Sequence, residues 1–175
     1  EALLDAAIAG ELDDDVGVEN WVDTLLSEGD ARWGIQQFIL RWLRMDDAHA
    51  VDKDPDLYPG FTGPVLTGLR RGTQLWAAYT VLEGDGLLET LFSAAETVVR
   101  FEDKHADKEN AFWNLTEDEI IATSPRFGDV VALPEDERAG LLTSPPRLAN
   151  VHNSDDRATR PILRGAALLK NVLCG

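Results

Sequence analysis

The sequence predicts an all-α protein, an irregular compact helical bundle with long loops. Three observations carry that expectation. Bulky apolar residues recur three and four positions apart over 18–25, 35–45 and 66–79, which is the period of one helix face. Prolines at 64, 145 and 161 stand at the openings of apolar stretches, where a helix loses nothing by the missing N–H. Glycine closes or separates these stretches, at Gly10 and in Gly84-Asp85-Gly86, as helix stops and turns require.

Residues 2–9 are apolar and end at Gly10, a helix with a glycine stop. Asp13, Asp14 and Asp15 precede the stripe Val18, Trp21, Val22 and Leu25, so carboxylates lie at the positive end of an amphipathic helix. Three adjacent carboxylates also suit a cation, but a solvated helix cap is the preferred reading. Gly29-Asp30 opens the next helix, 31–45, with Ile35, Phe38, Ile39, Trp42 and Met45 inward and Gln37, Arg41 and Arg44 off that face. The large areas of Trp33, Phe38 and Trp42 put this helix at the centre of the core. Residues 46–63 form a loop whose alternating Asp52, Asp54 and Asp56 invite calcium. Leu57 and Gly63 occupy the positions where that template needs Gly and Glu, and His49 beside Asp46 and Asp47 lacks a second pair of ligands. No metal is expected there.

Pro64 starts a helix to Leu82, with Leu66, Leu69, Thr73, Trp76 and Leu75 or Tyr79 mostly inward. Gly68 and Gly72 weaken it by up to ~1 kcal/mol each relative to alanine, unless another helix packs closely there. A short helix over 87–95 follows the turn at Gly84-Asp85-Gly86. Residues 102–129 are polar and mixed, with Phe112, Trp113 and Leu115 as anchors and a capping-box pattern, Thr116 to Glu119, before Ile120-Ile121. Pro134 and Ser144-Pro145-Pro146 each begin a short helix, and Pro161 begins the last one, 161–173, with Ile162, Ala166, Leu169 and Leu173 on its inner face.

At 175 residues the chain is one domain, or one and a half, able to bury roughly 70% of its extended-chain surface. Its net charge of −16 repels a duplex or an anionic membrane, so nucleic acid is not an expected partner. No stretch reaches the ~18 apolar residues of a membrane span, so direct membrane insertion is not expected either. The lone Cys174 cannot close an internal disulfide and reads as an inert thiol at a helix end. Glu1 runs straight into Ala2-Leu3-Leu4 without the charged opening of a signal peptide. The chain is therefore expected to be an interior piece, with any targeting signal upstream.

Two stretches carry family resemblances. Arg32 to Leu43 (RWGIQQFILRWL), Tyr58-Pro59-Gly60-Phe61, and the step from Leu82-Glu83-Gly84-Asp85-Gly86 to Phe92-Ser93-Ala94 resemble the domain-of-unknown-function family 1592, over about residues 2–105. Arg138-Ala139-Gly140-Leu141-Leu142-Thr143, Leu148-Ala149, the His152 loop, Pro161 to Gly165 and Leu173-Cys174 resemble family 1588, over about 130–175. Both families occur in large exported proteins of planctomycetes and myxobacteria, some with a c-type cytochrome domain. Two departures stand out. Gly72-Thr73 replaces a glutamate-threonine pair, and Val98-Val99-Arg100-Phe101-Glu102 replaces an aromatic-Val-Asn step with a downstream Tyr-Gly. The implied organisation is a family-1592-like region, 1–129, on which a family-1588-like region, 130–175, packs as one unit. The implied location is the periplasm or cell envelope.

The sequence holds no G-x-S-x-G, P-loop, dinucleotide fingerprint, H-E-x-x-H or C-x-x-C-H, so no nucleophile elbow, nucleotide, catalytic zinc or covalent haem is expected. No cofactor is assigned. What remains is the polar loop with His152, Asp155, Arg160 and Arg164. Histidine beside carboxylates acts as acid or base near neutral pH, and arginine clamps carboxylates in pairs of parallel hydrogen bonds. The same residues equally suit a loop tied to a helix by Asp–Arg pairs. The leading expectation is thus a non-catalytic helical scaffold or docking module whose partners are other domains or subunits of a larger protein or complex. The alternative is a periplasmic oxidoreductase or carbohydrate-active module with its site around His152, Arg160 and Arg164.

Overall fold

A computed structural model describes residues 1–46, 53–98, 112–113, 130–150 and 161–173. Among them seven α-helices appear: α1 (Ala2–Ala9), α2 (Asp15–Ser27), α3 (Gly29–Trp42), α4 (Gly63–Leu82), α5 (Leu88–Ser93), α6 (Pro145–Asn150) and α7 (Pro161–Asn171). A 3-10 turn spans Leu141–Thr143. Two short strands, β1 (Glu96–Val98) and β2 (Val130–Ala132), pair antiparallel with Thr97 opposite Val131.

The protein is mostly helical, and the strands correct the all-α expectation. Thr97-Val98 and Val130-Val131 are β-branched pairs, which favour a pleated, half-buried surface over a helix. Each strand is three residues long, too short for a period of two to show in the sequence. Two further backbone bonds lie beside the pair, Leu133 N to Ala95 O and Gly140 N to Ala94 O, both 2.7 Å.

Helix α4, not α3, is the most deeply buried helix among the described residues. It touches α3, α5, α6 and β1, and twelve of its twenty residues are buried. The first core cluster sets Trp76 and Ala77 of α4 against Ile39, Leu43 and Met45 after and within α3, with Leu91, Val98 and Leu141. The second sets Val65 and Leu69 against Trp113, Val131 and Leu133. A helix buried on most sides must satisfy its own polar side chains. Thr73 and Thr80 do so by donating to the carbonyls of Leu69 and Trp76 one turn back, each at 3.0 Å. Buried Gln36 of α3 accepts from Arg71 at 2.7 Å, and its carbonyl accepts from Gln74.

Gly72 finds its reason here. A Cβ at this position would meet the Val98 carbonyl oxygen at 2.5 Å, so a strand, not another helix, packs against the glycine. The aromatics of α3 correct a second expectation. Trp33 is 61% and Phe38 58% exposed; Phe38 stacks on Trp42, whose ring meets Phe92 edge-on. Phe112 and Trp113 are anchors as expected, Trp113 buried and Phe112 edge-on to Phe61. Residues 134–138 make a single turn rather than a helix, Glu137 and Arg138 both donating to the Pro134 carbonyl. The final helix is also turned round. Ile162 and Leu169, assigned to the inner face, are 84% and 53% exposed. Val172 packs on the first cluster instead, and the Trp42 indole donates to Asn171 O at 2.7 Å. His49, Asp52, His105, Leu115, the Thr116–Glu119 pattern and Cys174 lie outside the described residues.

Thr97 is fully buried on β1, and its hydroxyl has no hydrogen-bond partner among the described residues. A buried donor left unmade costs about 1–3 kcal/mol, whereas an apolar group of the same shape does not. Thr97→Val is therefore expected to stabilise the fold by about 1 kcal/mol, read as a higher urea midpoint at unchanged slope.

Candidate functional site

Of the residues singled out in the sequence, His152, Asp155 and Arg160 lie outside the described residues. Arg164 is described. It stands one turn into α7, exposed, and lines a cavity of about 210 Å³ between α6 and α7. The rest of the lining among the described residues is Leu142, Arg147, Leu148, Gly165 and Leu168.

Arg147 is the residue that sequence reasoning missed. Pro145-Pro146 starts α6 as expected, and Pro146 is fully buried. The Ser144 hydroxyl donates to Leu141 O at 2.8 Å, and the Ser144 carbonyl accepts from Leu148 N at 3.0 Å. Upstream, Thr143 Oγ1 accepts from Ala139 N at 2.7 Å and donates to Ala139 O at 2.9 Å. These bonds brace the turn into α6, which packs against α4, and Arg147 is only 5% exposed. Its Nε has no hydrogen-bond partner among the described residues. Burial lowers the pKa of this guanidinium from its usual value, because a desolvated charge is disfavoured. Arginine still keeps its proton under ordinary conditions. Nothing in the local sequence marks Arg147 for burial, since a short amphipathic helix explains a cation between Pro146 and Leu148 equally well.

The described lining therefore includes two arginines and three leucines. Guanidinium donates hydrogen bonds and does not exchange protons near neutral pH, and the lining among the described residues holds no acid, base or nucleophile. Arginines beside leucines can recognise an anion with an apolar body. Among the described residues no group of three or more His, Cys, Asp or Glu is disposed to hold a metal ion, and no helix is long and apolar enough to cross a membrane.

The N-terminal half is where a relationship is found. The family described as PSD4, protein of unknown function (DUF1592), matches residues 1–103. The chain belongs to this family. The match covers α1 to β1 and so includes α4 and both partners of the α3–α4 interface. In this DUF1592 chain the Gly72-Thr73 departure sits where α4 meets β1, with no room at 72 for a side chain unless the strand moves. The Arg147–Arg164 cavity lies beyond the matched residues. No curated protein and no solved structure matches the chain.

Proposed function

We propose that this DUF1592 chain is a non-catalytic helical docking module, an interior part of a larger exported protein at the cell envelope, possessing an acidic, apolar face on α1 and α2. The partner that fits this face is a cationic amphipathic surface on another domain or subunit. The observation carrying the reading is the state of the first two helices. Ala6 is the sole buried residue in α1, and α2 has none. Leu4, Ile8, Val16 and Val22 stand exposed, while residues 1–31 hold ten Asp or Glu and no Lys or Arg. Apolar groups spread among one sign of charge suit a partner of the opposite sign, which the charge steers and the apolar area retains. The helices themselves are well made. Gly10 ends α1 in the left-handed conformation, and the Asp14 carboxylate caps α2 by accepting from Gly17 N at 2.7 Å. The exposed face therefore belongs to ordered helices.

The test uses a 14-residue Lys/Leu amphipathic helix as probe, a Lys/Ser peptide of equal charge, and the triple variant Ile8→Ser, Val16→Ser, Val22→Ser. Anisotropy titration is expected to show saturable binding of the Lys/Leu peptide that weakens with salt and falls about tenfold in the variant, roughly the loss of 1.4 kcal/mol of apolar contact. The Lys/Ser peptide is expected to bind at least as weakly as the variant does. Equal binding of both peptides, or no change in the variant, overturns the docking face. Self-association that the triple variant abolishes assigns the face to a second copy and overturns the proposed partner.

A further inference from the structure

We propose that the cavity between α6 and α7 is a binding site for a small organic carboxylate with an apolar body, its head group held by Arg147 and Arg164. This goes beyond the docking reading and involves none of the α1–α2 residues.

Arg147 is more than nine-tenths buried, lines the cavity, and leaves its Nε without a partner among the described residues. A desolvated guanidinium calls for a counter-charge, and among the described residues no carboxylate is ion-paired with Arg147. Arg164 lines the same cavity from the opposite helix, and guanidinium matches a carboxylate by paired, parallel hydrogen bonds. Leu142, Leu148 and Leu168 supply the rest of the wall, so the ligand's other end is hydrocarbon. At about 210 Å³ the cavity is smaller than the roughly 300–1,000 Å³ of sites for drug-sized ligands, which limits the occupant to a short aliphatic chain or a single ring. Gly165 keeps the α7 wall open; a Cβ there would meet nothing within 4 Å.

Benzoate and hexanoate are the probes, titrated calorimetrically into the full chain, with benzamide and inorganic phosphate as comparisons. The expected result is one saturable site for the two carboxylates. Benzamide, which keeps the ring and loses the charge, is expected to bind about ten- to a hundredfold more weakly, the worth of a charge-assisted hydrogen bond. Arg147→Gln is expected to weaken benzoate by a similar factor. Because removing a buried cation can disturb folding, Leu168→Phe is the companion variant. It fills the cavity from half-exposed α7, leaves both arginines in place, and is expected to abolish benzoate binding with an unchanged circular-dichroism spectrum. Absence of saturable carboxylate binding overturns the proposal, as does benzamide binding equal to benzoate or retention of benzoate by Leu168→Phe. Phosphate binding stronger than that of either carboxylate also overturns it, by showing a site for inorganic oxyanions. The peptide titration at α1–α2 is unaffected by these variants, so either inference can fail alone.

Discussion

Gly140→Ala is expected to cost at least about 4 kcal/mol, a large share of the 5–15 kcal/mol that holds a typical domain. Two effects act together. Gly140 has φ 55° and ψ −164°, a region open essentially to glycine alone, where strain costs about 1–3 kcal/mol. An added Cβ would also land on the Phe92 backbone carbonyl, which belongs to α5 and cannot swing aside as a long side chain could. The glycine N–H donates to Ala94 O at 2.7 Å, so relieving the clash means breaking the bond that fastens this turn to the end of α5. Buried Leu141, next in the chain, would be pulled from the first core cluster. Gly34→Ala is the internal comparison. It lies exposed in α3 with nothing within 4 Å of its missing Cβ, and alanine is favoured over glycine in a helix by up to about 1 kcal/mol. Urea denaturation should therefore move the two midpoints in opposite directions. A Gly140→Ala midpoint within experimental scatter of the parent would refute the packing of this turn on α5.

The sequence made the helices legible where local chemistry fixes them. The Gly10 stop, the Asp14 cap, Pro64 at the start of α4 and Pro161 at the start of α7 all stand where the chain places them. The run Arg138 to Thr143, recognised only as a pattern, acquires physical reasons. Arg138 donates to Phe112 O at 2.9 Å, Gly140 takes the positive φ, Leu141 is buried and Thr143 bridges back to Ala139. What could not be read is which face of a helix meets the core. Along α7 the set Ile162, Ala166, Leu169, Leu173 and the set Gly165, Leu168, Val172 both repeat at helical spacing. The choice falls to distant partners: the Trp42 indole at Asn171 O, and the α6 side chains across the cavity. The same holds for α3, where helical period marked Phe38 but could not show that the neighbouring elements leave it uncovered. The strands escaped because their partners are more than thirty residues apart and each contributes three residues. Arg147 escaped because burial of a cation leaves no trace in local sequence.

Leu69→Ala is expected to destabilise the fold by about 2–5 kcal/mol, the cost of lost apolar burial plus the cavity left behind. Leu69 is fully buried on α4 and sits in the second cluster with Val65, Trp113, Val131 and Leu133. Those partners come from α4 itself, from the 112–113 pair and from the strand segment that follows. Little room exists to collapse into the gap, since β1 and β2 are tied in register on one side and the Trp113 ring is rigid. Leu169→Ala removes the same atoms from a residue of the same type, yet from the exposed side of α7, where substitutions usually stay within about 0.5 kcal/mol. The pair isolates environment from chemistry, because transfer of an identical group is compared at a filled site and at an open one. Denaturant midpoints for both variants, taken at a common slope, give the two costs directly. If Leu169→Ala matched Leu69→Ala, then α7 would pack by the Ile162–Leu169 face after all, and the Arg164 cavity would be misplaced.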